Sequence, residues 1–337
     1  MHDELSAMAD LAKDVVASGM PGTLTTLFSA RGSTYRPLGS MMVSLPGLQA
    51  GGISGGCLEE YVARIGERET RSHSAVMLHF ATHAGNDIVP ALGCGGAIEL
   101  LVERLTPNHV TVLEQFATAA ERDDASWLAC AVRRDGKLLS VTRDWLKSGA
   151  SHETIHKTIS ADTDVLVQYV PPVTRLVIFG AGDDAMPLCD IGASLGWHVS
   201  VADRRARFAT RARFPNAQTV LAGEWDETVD ATTFSPRTAV ILMTHSLDDD
   251  ARVISLLSGK PVAYVGALGP AHRRAWLLEQ ASPLSAERDG RIAAMLHGPI
   301  GLDLGDRSAA GIAVAVAAEI LAHLNQRSAQ SLHAAVS

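Results

Sequence analysis

The feature that most constrains the fold lies in the second half of the chain, where an apolar strand runs into a glycine turn. Residues 175–179 are almost continuously apolar, as expected for a strand buried in a parallel sheet. A Gly-x-Gly-x-x-Ala turn follows at 180–185, then a helical segment, a second strand at 198–202 and the acidic residue Asp203. Together these elements are typical of the first βαβ unit of a dinucleotide-binding Rossmann fold.

The pattern continues towards the C-terminus. Two more predicted strands alternate with two predicted helices, at 238–243, 247–257, 262–265 and 271–280. This alternation indicates a doubly wound parallel sheet. Gly180, Gly182 and Asp203 are the candidate cofactor-binding residues of this half, with Asp203 expected to accept the ribose hydroxyls of NAD.

Neighbouring charges leave the cofactor of this unit open. Arg204 and Arg205 follow Asp203 and could favour the 2′-phosphate of NADP instead. Asp183 and Asp184 stand at the start of the helix, where two acids would compete with a pyrophosphate for the same amides. A Rossmann scaffold that binds no dinucleotide is therefore an equal alternative.

The first half of the chain has a different organisation. Predicted helices over 3–18 and 108–121 are mixed with short β-branched strands and with a hairpin at Asp135-Gly136. Pro171-Pro172 forms a stiff break, and we place the domain boundary there. The predicted fold is α/β: an N-terminal α+β domain over 1–172, followed by a Rossmann-like doubly wound parallel-sheet domain over 173–337.

Composition restricts the class of protein and the compartment in which it is expected. Hydrophobic residues make up 47% of the chain and the net charge is −8, which describes a soluble globular protein without a broad nucleic-acid surface. The first twenty residues lack the apolar core of a signal peptide, and the apolar run at 311–322 is interrupted by Glu319. We therefore expect a cytoplasmic protein that binds neither nucleic acid nor membrane.

The most chemically suggestive stretch spans residues 51–60, Gly-Gly-Ile-Ser-Gly-Gly-Cys-Leu-Glu-Glu. Four glycines in six residues let a ligand approach the backbone closely, and the amides of 51–56 could form an anion-binding nest. Cys57 follows at the predicted start of a helix, where a thiol suits a nucleophile or a soft-metal ligand. A tight turn with a small buried thiol is the plain alternative.

Two further loops strengthen the ligand-binding interpretation. A second glycine-embedded cysteine occurs at 92–96, Leu-Gly-Cys-Gly-Gly, and it adds Cys94 and Gly95 to the candidates. The loop at 31–40 combines two arginines with hydroxyl residues, a composition suited to a phosphate group. The four cysteines are far apart and form no Cys-x-x-Cys pair, which argues against a zinc ribbon or a disulfide framework and favours a reducing compartment.

A polar loop near the C-terminus, residues 297–308, contains three glycines, one proline and the acids Asp303 and Asp306. Ser308 is placed to cap the helix predicted over 309–324. Asp303 is a candidate site residue, because polar, glycine-rich loops at the end of such a domain often reach a ligand. The helix could be core or could form a dimer interface, and we favour a homodimer.

Four segments, at 32–41, 55–59, 92–96 and 299–303, together resemble the XdhC/CoxI family, and the resemblance extends over about residues 5–325. This is the family of maturation factors for xanthine dehydrogenase and related molybdenum hydroxylases. The resemblance implies an accessory chaperone that binds molybdenum cofactor (molybdopterin), supports its sulfuration and inserts it into an apo-hydroxylase of the xanthine dehydrogenase type. It also implies a cysteine desulfurase as the sulfur-supplying partner.

The resemblance assigns roles to particular residues. Cys57 is the first choice for cofactor binding and for contact with the metal, and Cys94 is the second thiol. The other residues expected to bind the cofactor in this half are Arg31, Ser33, Thr34, Arg36, Gly55, Gly56, Glu59 and Gly95.

Two other functions compete with the chaperone. One is an NAD(P)-dependent oxidoreductase built on the Rossmann half, with Cys57 as a redox thiol. The other is a docking platform for the hydroxylase, with both glycine-embedded cysteines inert. A cofactor-insertion chaperone is favoured over a turnover enzyme, and the identity of the client hydroxylase stays open.

Overall fold

The computed structural model describes residues 2–81, 96–136, 138–149, 151–281 and 294–331. The chain divides into two compact units, Met1–Pro172 and Val173–Ser337. Within the described residues, no helix combines the length and the apolar character that crossing a membrane requires.

The first unit is built on a five-stranded antiparallel sheet with the strand order β3-β2-β1-β5-β4. Its strands are β1 (Thr23–Arg31), β2 (Met41–Leu45), β3 (Leu48–Gly51), β4 (Ala75–Ala81) and β5 (Ala97–Arg104). Its helices are α1 (His2–Ser18), α2 (Glu59–Glu69) and α3 (Pro107–Ala120). Leu27, Leu100 and Val102 pack in a core with Leu58 and Val62, beside α2. Leu24 packs in a second core with residues of α1 and α3.

A second antiparallel sheet completes this unit, with the order β7-β6-β9-β8. Its strands are β6 (Ser126–Asp135), β7 (Leu138–Leu146), β8 (Ile155–Ser160) and β9 (Thr163–Val170). Cys130, Val132 and Leu166 of this sheet share a core with Phe28 and Leu101 of the first sheet. The two sheets therefore bury their apolar faces against each other.

The second unit is a six-stranded parallel sheet with the order β12-β11-β10-β13-β14-β15. Its strands are β10 (Arg175–Phe179), β11 (His198–Asp203), β12 (Thr219–Ala222), β13 (Thr238–Leu242), β14 (Tyr264–Ala267) and β15 (Leu296–His297). Its helices are α4 (Ala185–Ser194), α5 (Trp225–Asp230), α6 (Leu247–Leu256), α7 (Ala271–Ala281) and α8 (Ala309–Leu324). This is the doubly wound order of a Rossmann fold: β11 and β12 are added on one side of β10, and β13, β14 and β15 are added on the other.

The predicted fold class is confirmed: an N-terminal α+β unit is followed by a doubly wound parallel sheet, and the structure adds that the sheets of the first unit are antiparallel. Ser308 caps α8 as predicted, because its hydroxyl accepts a hydrogen bond from the Gly311 amide at 3.0 Å. Several short elements were not predicted: β3, β8, β12, α5 and β15. Each has at most six residues, which is too short for a repeating pattern of apolar residues to be recognised.

A buried ion pair ties the two antiparallel sheets together. The Arg143 guanidinium on β7 donates to both carboxylate oxygens of Glu103 on β5, and these side chains are only 8% and 5% exposed. His109 contributes a third contact, with its Nε2 3.3 Å from Glu103 Oε1 and its Nδ1 accepting from the Thr106 amide. Burial would raise the pKa of the Glu103 carboxyl, but the hydrogen bonds from His109 and Arg143 outweigh it and lower the pKa from 4.5 to about 2.

We predict that this pair makes the first unit sensitive to acid. A carboxyl whose pKa is lower in the folded state stabilises the fold above its unfolded pKa, and this stabilisation is lost as the pH falls from 4.5 towards 2. The shift corresponds to about 3 kcal/mol of unfolding free energy. Urea unfolding of the wild type over this pH range should show the loss, and Glu103→Gln should remove most of the pH dependence.

At neutral pH, Glu103→Gln should cost about 3 kcal/mol, since it leaves the buried Arg143 without its carboxylate. Glu69→Gln is the matched control, because the Arg68–Glu69 pair is exposed and should contribute less than about 1 kcal/mol. Equal losses in the two variants would contradict the assigned role of the buried pair.

Candidate functional site

The antiparallel topology brings two loops and the start of β5 to one end of the five-stranded sheet. Arg31 at the end of β1 pairs with Ala97 at the start of β5, and Gly51 at the end of β3 pairs with Met42 near the start of β2. The loops 32–40 and 52–58 and the segment that enters β5 must therefore lie at the same edge. Three of the four sequence segments that carry the family resemblance lie wholly or partly in these loops.

The loop 52–58 is organised around the carboxylate of Glu59, the first residue of α2. Oε1 accepts from the amides of Ile53 at 3.2 Å and Ser54 at 2.8 Å. Oε2 accepts from the Ser54 hydroxyl at 2.5 Å and from the Leu58 amide at 3.2 Å. The Glu59 side chain thus satisfies four donors of a loop that has little other regular structure.

Glu59 is 5% exposed, and burial alone would raise its pKa. The hydrogen bonds from Ser54, Leu58 and its own amide outweigh this effect, so the pKa of the carboxyl lies below its usual range. The expected anion nest is wrong for the amides of Ile53 and Ser54, because an internal carboxylate already binds them. Glu59 therefore shapes the loop from within.

Cys57 is exposed and lies two residues before the helix begins. Its Sγ is 3.5 Å from the Ser54 hydroxyl, and the preceding Gly56 has a left-handed backbone with φ of 102°. The plain alternative of a buried thiol is wrong for Cys57, whereas Cys130 and Cys189 are buried. The loop presents its thiol to solvent.

Residues 31–40, called the basic loop from here on, contact residues 52–58, called the Cys57 loop, at two points. A Cβ placed on Gly52 would lie 3.3 Å from Arg36 Nη2, and one placed on Gly55 would lie 3.5 Å from the Tyr35 ring. Arg36 also forms an ion pair with Glu4 of α1 at 3.4 Å. Within residues 31–40, the Thr34 hydroxyl donates to the Arg36 carbonyl at 2.9 Å and stabilises the turn of the chain.

Arg31 and Ser33 are exposed on the same loop. Among the residues that the structure describes, Arg31 makes no ion pair, and its side chain is exposed. The site thus combines the exposed guanidinium of Arg31 with the exposed thiol of Cys57.

Of the segment that enters β5, the structure describes Gly96 onward. Gly96 packs so tightly that a Cβ there would lie 2.6 Å from the Ser33 carbonyl oxygen and 2.8 Å from that of Arg31. The segment entering β5 therefore borders the basic loop directly. Cys94 and Gly95, which were predicted to belong to the site, lie outside the described residues.

The glycine turn of the second unit is also closed by an internal carboxylate. Gly180 has φ of 111°, and a Cβ there would come within 2.2 Å of the Met243 carbonyl oxygen, so only glycine lets the turn pack against the end of β13. Asp203 Oδ2 accepts from the Ala181 amide at 2.8 Å and from Arg205 Nη2 at 2.7 Å. Oδ1 accepts from the Arg205 amide and Nε, at 2.8 and 2.9 Å.

These four bonds use the acceptor capacity of Asp203, which is 2% exposed. Burial would raise its pKa, but the bonds from Arg205 and Ala181 lower it. Asp183 is likewise paired, with Arg213 at 2.7 Å. Asp203, the acid expected to accept ribose hydroxyls, therefore already accepts hydrogen bonds from Ala181 and Arg205. Gly182, the other predicted glycine of this turn, lies beside the exposed His245.

Asp303 lies on an exposed loop of the second unit. The loop is anchored by Glu319 of α8, which accepts from the Gly301 amide at 2.5 Å and pairs with His297 at 3.1 Å. Asp303 takes no part in this anchoring. Within the described ranges, no group of three or more His, Cys, Asp or Glu side chains could bind a metal ion, so Cys57 has no such companions there.

Three site residues escaped the sequence analysis: Ser54, Tyr35 and Glu4. Ser54 had a weak signal, since a hydroxyl among glycines just before a helix often forms local caps. Tyr35 was seen only as part of the basic loop. Glu4 had none, because its contact with Arg36 depends on how α1 packs against the sheet.

Fold and site together define a two-unit protein in which an exposed cysteine loop on an antiparallel unit precedes a Rossmann-like unit. The family model "XdhC and CoxI family" matches residues 15–81, and the model "XdhC Rossmann domain" matches residues 176–320. The chain belongs to the XdhC/CoxI family, as its motifs predicted.

Relatives of similar length agree with this assignment. The chain is 27% identical to a probable xanthine dehydrogenase subunit from Bacillus subtilis, covering 95% of this chain and 96% of that protein. It is 26% identical to the molybdenum cofactor insertion chaperone PaoD of Escherichia coli, covering 95% and 89%. A crystal structure described as a xanthine dehydrogenase from Bacillus halodurans shares the fold, with a TM-score of 0.75 and 22% identity over 98% of this chain and 99% of that one.

We predict that Glu59→Gln loosens the loop 52–58. The amide nitrogen of glutamine cannot accept the bonds that one carboxylate oxygen receives, so buried donors lose their acceptor at a cost of about 1–3 kcal/mol. Hydrogen exchange at the amides of Ile53, Ser54 and Leu58 should accelerate. Glu60→Gln, at the exposed neighbouring position, should leave exchange and stability unchanged, and similar effects in both variants would contradict the role of Glu59.

Thiol reactivity should separate the described cysteines. Burial raises the pKa of both Cys130 and Cys189 to about 11, whereas Cys57 is exposed. Iodoacetamide at about pH 8 should alkylate Cys57 in the folded protein and the other two only after denaturation. Peptide mass spectrometry can assign each site, and protection of Cys57 in the folded protein would contradict the exposed loop.

Proposed function

We propose that the protein is an accessory chaperone that binds molybdenum cofactor at the Cys57 loop and delivers it to a molybdenum hydroxylase of the xanthine dehydrogenase type. The observation that carries the proposal is the joint placement of the exposed thiol of Cys57 and the exposed guanidinium of Arg31 at one edge of the sheet. Family membership and the similarity to an insertion chaperone support it.

The donor set fits the chemistry of this cargo. Molybdenum cofactor combines a phosphate, a pterin and a molybdenum atom bound by sulfur. Arg31 and Ser33 are exposed and can bind the phosphate, and Arg36 follows on the same segment, paired with Glu4. Cys57 offers a soft sulfur ligand to the metal.

Glu59, Gly55 and Gly56 have a positioning role in this proposal. The Glu59 carboxylate holds the loop backbone, the Tyr35 ring lies against Gly55, and the space around Gly56, directly before the thiol, is open. When bound, the cargo supplies a metal centre whose reactivity serves the client enzyme. This chain would bind it, shield it and release it.

The oxidoreductase alternative has less support. Asp203 is occupied by Ala181 and Arg205, so the Rossmann turn lacks its free acceptor for a ribose. We therefore treat Gly180, Gly182 and Asp203 as structural residues of the turn. The docking-platform alternative assigns no role to the exposed thiol of Cys57.

Two partners follow from the proposed function. The apo-hydroxylase must accept the cargo, and a cysteine desulfurase would supply the terminal sulfur while the cargo is held. A homodimer stays a prediction, as does a role for Asp303 in cofactor binding.

The proposal predicts uptake of the cofactor by the purified chain. Protein isolated from a host that makes molybdenum cofactor should contain molybdenum and, after oxidation, a fluorescent pterin. Cys57→Ser should reduce the bound amount by about tenfold, since it removes the soft ligand. Absence of both molybdenum and pterin from the wild type, before and after reconstitution, would refute the proposal.

Matched variants test the site assignment. Cys130→Ala removes a buried thiol that is remote from solvent and should retain uptake, provided that its melting temperature shows a folded protein. Arg31→Gln should weaken uptake, whereas Arg68→Gln, an exposed arginine at the far end of α2, should not. Equal uptake by Cys57→Ser and the wild type would move the site elsewhere.

A further inference from the structure

A cavity of about 330 Å³ lies within the first unit, next to the Cys57 loop. Its volume falls in the range of about 300–1,000 Å³ that is typical of small-molecule sites. Arg36 and Gly52 line it, so the segments 31–40 and 52–58 each form part of its wall. The proposed function, as derived so far, makes no use of this space.

The walls of the cavity are mainly apolar. Leu5 and Met8 come from α1, Phe116 from α3 and Val170 from β9, and all four side chains are less than 10% exposed. Methionine and phenylalanine side chains pack well against the face of a flat ring. The cavity therefore suits a planar group better than a flexible, charged one.

The rim carries two complementary charges. The Glu4 carboxylate and the Arg36 guanidinium both line the cavity, are 3.4 Å apart and are each 42% exposed. A carboxylate can accept two parallel hydrogen bonds from adjacent N–H groups, and a guanidinium donates to oxygen or ring nitrogen. The ligand that fits is a flat heterocycle with paired N–H donors next to acceptors.

We infer that this cavity binds the pterin ring of the cargo, with Glu4 accepting from its amino group and ring N–H and with Arg36 at the side of its acceptors. The inference rests on the proposed function and extends it from the thiol loop to a second subsite. A pterin has the paired donors and the flat shape that the cavity requires. Cys57 and Arg31, exposed on the adjoining loops, are then left for the metal and phosphate ends.

The test uses 6-hydroxymethylpterin, which has the ring but neither phosphate nor metal-binding sulfur, and isothermal titration calorimetry on the full chain. Glu4→Gln should weaken binding by about tenfold, because it replaces a charged acceptor. Ser40→Phe places a large side chain at the cavity wall and should weaken binding by at least about tenfold. Thermal melting checks that both variants fold.

Two matched variants serve as controls. Asp10→Asn removes an exposed acid on the same helix as Glu4 but outside the cavity, and Arg68→Gln removes an exposed arginine of α2 that does not line the cavity. Both should bind the pterin within about twofold of the wild type. Absence of binding to the wild type, or equal binding by Glu4→Gln and the wild type, would overturn the pterin subsite.

The outcomes separate this inference from the proposed function. If the wild type takes up molybdenum cofactor in a Cys57-dependent way but shows no Glu4-dependent binding of the free pterin, the subsite is wrong and the chaperone function stands. If the pterin binds in a Glu4-dependent way but no molybdenum cofactor is taken up, the subsite stands and the chaperone function is wrong.

Discussion

Glu59 places a carboxylate inside a loop of glycines, where the amides of Ile53, Ser54 and Leu58 and the Ser54 hydroxyl all donate to it. Each of these bonds replaces water that the buried donors would otherwise need. Glycines provide the backbone freedom for the loop, but they provide no rigidity. The exposed position of Cys57 and the space beside it therefore depend on an acid that is itself almost fully buried.

The second unit solves a similar problem in a similar way. Its glycine turn approaches β13 closely, and Asp203 holds the turn through the Ala181 amide while Arg205 neutralises the buried charge. In both units a carboxylate of the chain satisfies the amides that a glycine-rich motif is usually thought to offer to a ligand. The difference is that the first loop also presents an exposed thiol, with the exposed Arg31 at the same edge of the sheet.

The fold could be predicted from the sequence where a known pattern of strands, helices and glycines recurs along the chain. Residues 175–203 predicted the Rossmann unit through their order of strand, turn, helix, strand and acid. The four motifs at 32–41, 55–59, 92–96 and 299–303 predicted the family. The residues of the thiol site could also be proposed, since Cys57 and Arg31 stand out by type. Their arrangement could not, because the Ser54–Glu59 bonds depend on the loop path. The Glu4–Arg36 pair depends on how a helix packs against a sheet.

The strand order of the five-stranded sheet also gives the site an order of assembly. β1, β2 and β3 follow one another in the chain and pair as neighbours, so the loops 32–40 and 52–58 can meet through local contacts. Gly96 reaches the Arg31 and Ser33 carbonyls only when β5 pairs with β1, a contact between distant parts of the chain. During synthesis, the thiol and the basic loop are therefore made well before the wall that completes their surroundings. A nascent chain does not present the full site until the sheet has closed.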